Sequence, residues 1–198
     1  MGNSTAWPVF RTSDVTTAYA QAKRLRALLA RREDEVWFLA ELCTVEDVRR
    51  MAAVLPGARF EHTGSGMRPG PAGEELWFDL DVTTADDAAL QAALPLDATE
   101  NLPTGSVEDR FVAALGRGTA AMDWHGSWPE EPEAGRYANA KYDGVQVVFH
   151  GDDSHLGRWT AHHTVFVHGG GGPGAAARAR HLAAHIGGEV LGEPQRGW

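Results

Sequence analysis

One pattern is spelled twice between residues 35 and 94, and that repetition constrains the fold more than any other feature of the chain. EVWFLAELCTVEDVRRMAAV begins at Glu35, ELWFDLDVTTADDAALQAAL at Glu75, and the two align without a gap. Glu35, Trp37, Phe38, Thr44, Asp47, Ala52 and Ala53 recur as Glu75, Trp77, Phe78, Thr84, Asp87, Ala92 and Ala93. Each copy has the grammar of a strand, a cap and a helix. Residues 36–42 are almost wholly apolar, as in a strand covered on both faces. In the second copy Leu76, Phe78, Leu80 and Val82 alternate with Trp77, Asp79 and Asp81, as in a half-covered strand. Thr44 with Asp47, and Thr84 with Asp87, have the spacing of a capping box, in which hydroxyl and acid satisfy each other's backbone N–H groups. Pro56 and Pro95 stop the two helices.

Return strands are expected at ARFEHT after Pro56 and at DATEN after Pro95, where the pattern is less apolar. The resulting order, β-α-β-β-α-β, is that of the split, ferredoxin-like plait, whose two similar halves suit a forty-residue repeat. The fold class expected is therefore α+β: a ferredoxin-like plait from the internal repeat, with a second α+β layer packed on it. Three segments follow: a basic amphipathic helix within 1–33, the duplicated plait at 34–103, and an α+β half at 104–198. In the first, Ser13 or Asp14 caps a stripe of Val15, Ala18, Ala22, Leu25 and Leu29. In the last, periodicity predicts a helix through Val107, Phe111, Val112 and Leu115. Strands follow at 119–124, 145–150 and 163–168, then a helix at 175–186 and a closing strand GEVLGE. The proline- and glycine-rich stretch 125–142 reads as a long loop, a common place for function.

The 198 residues carry a net charge of −9, unevenly spread. Residues 1–32 hold six basic side chains against Asp14, a balance of +5, which leaves −14 for the rest. An acidic body disfavours nucleic acid and favours a basic protein or cationic ligand, although acidity also serves solubility. No run approaches the ~18–20 apolar residues that cross a bilayer, so no membrane association is expected. The opening MGNSTAWPVFRTSD has neither the basic nor the apolar region of a secretory signal, and a cytoplasmic protein is the simplest expectation. Cys43, the single cysteine, cannot form an internal disulfide.

Four stretches can carry chemistry. HGGGGPG, at 168–174, leads into a helix and can present N–H groups to an anion, but it lacks a P-loop lysine and the room for a dinucleotide fold. A surface turn is the better reading. His181 and His185 stand at i, i+4 on the polar flank of that helix, near Arg178, which suits solvation better than a metal; neither metal nor cofactor is expected. His150, Asp152 and His163 lie at the ends of two strands that can pair, and are the catalytic candidates for acid–base work. By alternation His163 and His168 point to opposite faces.

Trp124, His125, Trp128, Glu130, Glu131 and Trp159 form the last group, aromatics beside acids, as in a hot spot for a basic partner. They can equally seal the joint between layers. The expectation is a soluble acidic protein that docks a basic macromolecule, in the manner of an immunity protein or inhibitor. The competing expectation is a small-molecule enzyme using residues 150–168. Homodimerisation through sheet edges is a third, since a plait leaves strands uncovered at its rims.

Overall fold

In the first copy of the repeat, alternate side chains turn inward along the whole strand: Val36, Phe38, Ala40 and Leu42 are buried. The computed structural model describes residues 4–64, 66–130, 132–134, 138–172 and 174–198. Its elements in chain order are β1 (Thr5–Thr12), α1 (Val15–Arg26), β2 (Arg31–Arg32), β3 (Glu35–Leu42), α2 (Val45–Val54), β4 (Arg59–His62), β5 (Met67–Pro69) and β6 (Glu75–Trp77). There follow α3 (Asp87–Ala93), β7 (Leu96–Pro103), α4 (Glu108–Ala113), β8 (Ala120–Ser127), a 3-10 turn (Pro132–Ala134), β9 (Gly144–Phe149), β10 (His163–Gly169), α5 (Ala175–His185) and β11 (Gln195–Arg196). The fold is α+β, with an antiparallel main sheet in the order β11-β1-β10-β9-β8-β3-β7-β4. β2 pairs with the end of β8, and β5 with β6 form a separate ribbon.

All five described helices feed one apolar cluster on a single face of this sheet. Ala18, Leu25, Met51, Leu90, Phe111 and Leu182 meet Phe38, Met122, Trp124, Val147, Phe149 and Val165 there. α1 is capped by Asp14, which accepts the Thr17 N–H at 2.6 Å, and its stripe of Ala18, Ala22 and Leu25 is buried. The capping box predicted for α2 is present, with Thr44 Oγ1 and Asp47 N 3.1 Å apart and Asp47 accepting from Thr44 N.

The structure departs from the sequence reading at several places. β3 is covered on one face rather than two: Trp37 and Leu39, whose apolar side chains suggested a second cover, lie on its outward side. The second copy does not supply a main-sheet strand: β6 is three residues long and pairs with Met67–Pro69, and none of residues 78–86 is in a strand. Asp81, which stands where the first copy has Glu41, binds its own neighbours instead. It accepts from Thr83 N at 2.8 Å, Thr83 Oγ1 at 2.6 Å and Thr84 Oγ1 at 3.0 Å, local bonds that compete with a ladder. Thr84 is thereby diverted, and Asp86 caps α3 in its place. The sheet position beside β3 is filled by β7, the stretch containing DATEN.

β1 precedes the first helix, although Pro8 within TAWPVFRT argues against a strand. It is tolerated because the register shifts between Pro8 and Phe10 and because β11 pairs with Thr5 and Ala6 only. Finally, the closing strand is Gln195–Arg196 rather than GEVLGE.

The two threonines of the repeat should therefore differ in value. Thr44→Ala should cost about 1 kcal/mol of stability, as loss of a cap does. Thr84→Ala, on an exposed turn, should stay within about 0.5 kcal/mol. Urea unfolding of both variants checks this, and equal costs would mean the copies are equivalent after all.

Candidate functional site

The second face of the sheet is covered over one half only. Across β8, β9, β10 and β1 lies a small cluster of Ala6, Ala121, Val148 and Phe166, with Leu156 packed on it from the segment that follows β9. The chain end lies over the same half. Ser154 N donates to Gln195 Oε1 at 2.8 Å, Ser154 Oγ to Arg196 O at 2.8 Å, and Gln195 Nε2 to Asp152 O at 2.9 Å. Trp198 then stacks on His168, ring centroids 3.5 Å apart. Gly144 makes room for it, since a Cβ there would stand 2.7 Å from the Trp198 ring.

Beneath this strap the polar groups are paired in one consistent way. Gln146 Nε2 donates to Ser154 O at 3.0 Å, so its Oε1 accepts from His168 Nε2 at 3.2 Å. His168 Nδ1 is left to accept from Ser4 Oγ at 3.0 Å. Burial holds this imidazole neutral, well below its ordinary value. The opposite directions of His163 and His168 follow the alternation of β10, since His163 packs edge-on to Phe149 within the helical core.

Over β3, β7 and β4 the outward side chains are half-buried or exposed: Glu35, Trp37, Leu39 and Glu41, then Asp97, Thr99, Asn101 and Pro103, then Arg59 and Glu61. Trp37 is 46% exposed on a central strand. Trp77 is 59% exposed at the rim, and Gly66 lies between its ring and Glu61: a Cβ there would be 3.8 Å from one and 3.7 Å from the other. Two indoles thus bracket a group of carboxylates. Arg59 pairs with Glu61, and Glu41 accepts from Thr119. Asp97 is pushed up by burial, drawn down by hydrogen bonds from Thr63 and Gly64, and pushed up again by the charges of Glu41 and Glu61. These acids stand close enough to repel one another.

Asp123 marks the boundary between the halves, opposite Trp37 on one side and Gln146 on the other. Its Oδ1 is buried without a hydrogen-bond partner. Burial pushes its carboxyl up to about 7, against a hydrogen bond from Gln146.

The residues singled out from sequence fall elsewhere. Trp124 and Trp128 are each 1% exposed and form no outward patch on which a protein partner could dock. Trp124 alternates inward onto Tyr19, and Trp128 is fixed by N–H bonds to Asp143 Oδ2 and His168 O. His125 lies against Trp198, its imidazole lowered by burial. Glu130 is exposed, Glu131 lies outside the described residues, and Trp159, 54% exposed, stacks on His150. Among residues 169–174, Gly170 N–H serves Asp143, and Pro173 lies outside the described residues.

His150 and His163 are neighbours, ring centroids 4.8 Å apart, and His163 Nδ1 accepts the His150 backbone N–H at 3.0 Å. Burial first, then the charge of His150, lowers His163 to about 4. That leaves it a weak base at neutral pH. Asp152 lines a separate open cleft of about 520 Å³ with Arg11, His155 and Arg158, and neither His150 nor His163 is in its wall. Among the described residues no group of three or more His, Cys, Asp or Glu is placed to hold a metal ion. No helix is long and apolar enough to cross a membrane among them. Compared with family models, curated proteins and solved structures, the chain finds no match.

The outward Trp37 was missed because residues 36–42 read as doubly covered. Its parity with Glu35 and Glu41 was the available signal.

Asp123 makes stability depend on pH in a known direction. Its unfolded value is 3.8, so from about pH 4 to 7 the folded chain keeps a proton that the unfolded chain has lost, and stability falls as pH rises. His163 acts oppositely: between about 4 and its unfolded 6.5 the unfolded chain holds the extra proton, and stability rises with pH. The two are separated by difference. The stability of Asp123→Asn minus that of the parent should grow from pH 4 to 7 and then level, in a series of urea titrations. A difference that ignores pH would contradict the assignment.

Proposed function

We propose that this protein works by docking a basic, partly apolar protein segment on the open half of its sheet, over β3, β7 and β4. The observation that carries the reading is the pairing of exposed indoles with crowded carboxylates. Glu35, Glu41, Glu61 and Asp97 face outward beside Trp37 and Trp77, with Arg59 as their one outward cation on these three strands. Lysine or arginine side chains laid on this face would relieve the repulsion at Asp97 and sit over the indole rings, a contact worth about 0.5–2 kcal/mol each. A large flat aromatic at the centre of a desolvated patch, with charges around it, is the usual anatomy of a binding hot spot. The most concrete form of the reading is an immunity or inhibitor protein that neutralises a basic partner, and the same charge disfavours a nucleic-acid partner.

The architectural side of the reading is that β8-β3-β7-β4, bridged by α2 and α4, is a ferredoxin-like plait. Its support is the pairing: β3 and β4 run parallel with β7 between them, and β7 and β8 run parallel with β3 between them. The halves of that plait are not the two copies of the repeat, since β7 and α4 lie beyond the second copy.

Affinity capture from the source cell, with wild type and variants side by side, tests the docking reading. A basic protein should be retained by wild type and by Trp159→Ala, and lost progressively as salt is raised. Trp37→Ala should weaken it about thirtyfold, the equivalent of a 2 kcal/mol hot spot. The double variant Glu41→Gln with Asp97→Asn should do the same without lowering the unfolding midpoint, since it removes charges that repel one another. Retention that survives both changes would refute the proposed face.

A further inference from the structure

On the opposite side of the sheet, α1 and the segment 104–110 enclose a cleft of about 360 Å³, within the range of small-molecule sites. Three residues of its wall have a buried polar atom with no hydrogen-bond partner: Nε1 of Trp124, Nε of Arg26 and Oγ1 of Thr104. An indole N–H and a guanidinium N–H can only donate, and a threonine hydroxyl can donate as well. Unpaired buried donors cost about 1–3 kcal/mol each, more when charged, so three in one cleft call for an acceptor.

Several other groups of the wall are already engaged. Glu108 accepts from Gly105 N at 2.7 Å, Tyr19 bonds to Asp109, and the Lys23 ammonium lies 4.7 Å from the Tyr19 ring centre. Tyr19 and Trp124 add flat apolar surface, stacked with ring centroids 6.5 Å apart. The guanidinium of Arg26 is lowered, first by burial and then by the charge of Arg32, while Glu108, Tyr19 and Asp34 draw it back up.

We propose that this cleft binds a small carboxylate carried on a flat apolar body, with Arg26, Trp124 and Thr104 donating to the carboxylate oxygens and Tyr19 flanking the ring. The site is separate from the open sheet face and does not depend on it. Trp124 thus has a use that its place in the core conceals: its ring packs, while its N–H is reserved.

The test uses the full chain labelled with nitrogen-15, reading the indole N–H signal of Trp124, assigned from its loss in Trp124→Phe. Benzoate is the probe, with benzyl alcohol as its uncharged counterpart and inorganic phosphate as the non-planar anion. Benzoate should shift the Trp124 indole signal saturably, and the other two should not. Arg26→Gln, at a half-buried position that keeps the fold, should weaken benzoate about tenfold or more, as loss of a charged hydrogen bond does. Three results would overturn the inference. One is an indole signal unmoved by benzoate, and another is equal response to benzyl alcohol or phosphate. The third is benzoate binding unaffected by Arg26→Gln.

Discussion

A sheet has two faces, and the burial of only one and a half of them governs this molecule. The helices converge on one side, where Phe38, Phe111, Phe149 and Trp124 are fully packed. On the other side the strap made by residues 150–160 and the chain end covers β1, β10, β9 and β8, and the line of coverage stops at Asp123. Burial of apolar area is the main favourable term in folding, and exposed apolar residues on a central strand forgo it. Trp37 forgoes it at nearly half exposure. A partner that covers β3, β7 and β4 would complete the second face.

Asp143 organises the covered half in the same way that a cap organises a helix. Its carboxylate accepts from Trp128 N at 3.0 Å, Asn139 N at 2.9 Å and Gly170 N, and Arg178 stands 4.0 Å away. One buried acid therefore joins the end of β8, the approach to β9 and the turn after β10. Burial raises its carboxyl, while those bonds and Arg178 draw it down. The stretch 125–142 looks structureless by composition, yet residues 125–127 continue β8 instead of opening a loop, and Asp143 holds the chain beyond them at Trp128 and Asn139.

Local signals in the sequence were legible because the groups that make them are neighbours in the chain. The cap of α1 at Asp14, the box of Thr44 and Asp47, and the periodicity of α5 need no tertiary context. The strands β8, β9 and β10 were equally plain, being short apolar runs between turn residues. What failed was whatever depended on competition. Whether residues 75–82 make a main-sheet strand is decided by bonds that Asp81 accepts from Thr83 and Thr84, against a ladder position that β7 fills better. Trp124 and Trp128 lie beside acids in the chain but alternate inward. Trp37 shares the parity of Glu35 and Glu41 and turns out. Which half of the second face is covered is decided by residues 150–160 and their bonds to Gln195 and Arg196, more than a hundred residues from β3, and no window of sequence contains it.

The most direct measurement is hydroxyl-radical footprinting of the seven tryptophans in the free protein and with its captured partner bound. In the free protein Trp37, Trp77 and Trp159 should oxidise quickly while Trp124 and Trp128 are spared, and the partner should protect Trp37 and Trp77 but leave Trp159 reactive. Slow oxidation of Trp37 in the free protein, or protection that falls on Trp159 instead, would contradict an open sheet face as the place of docking.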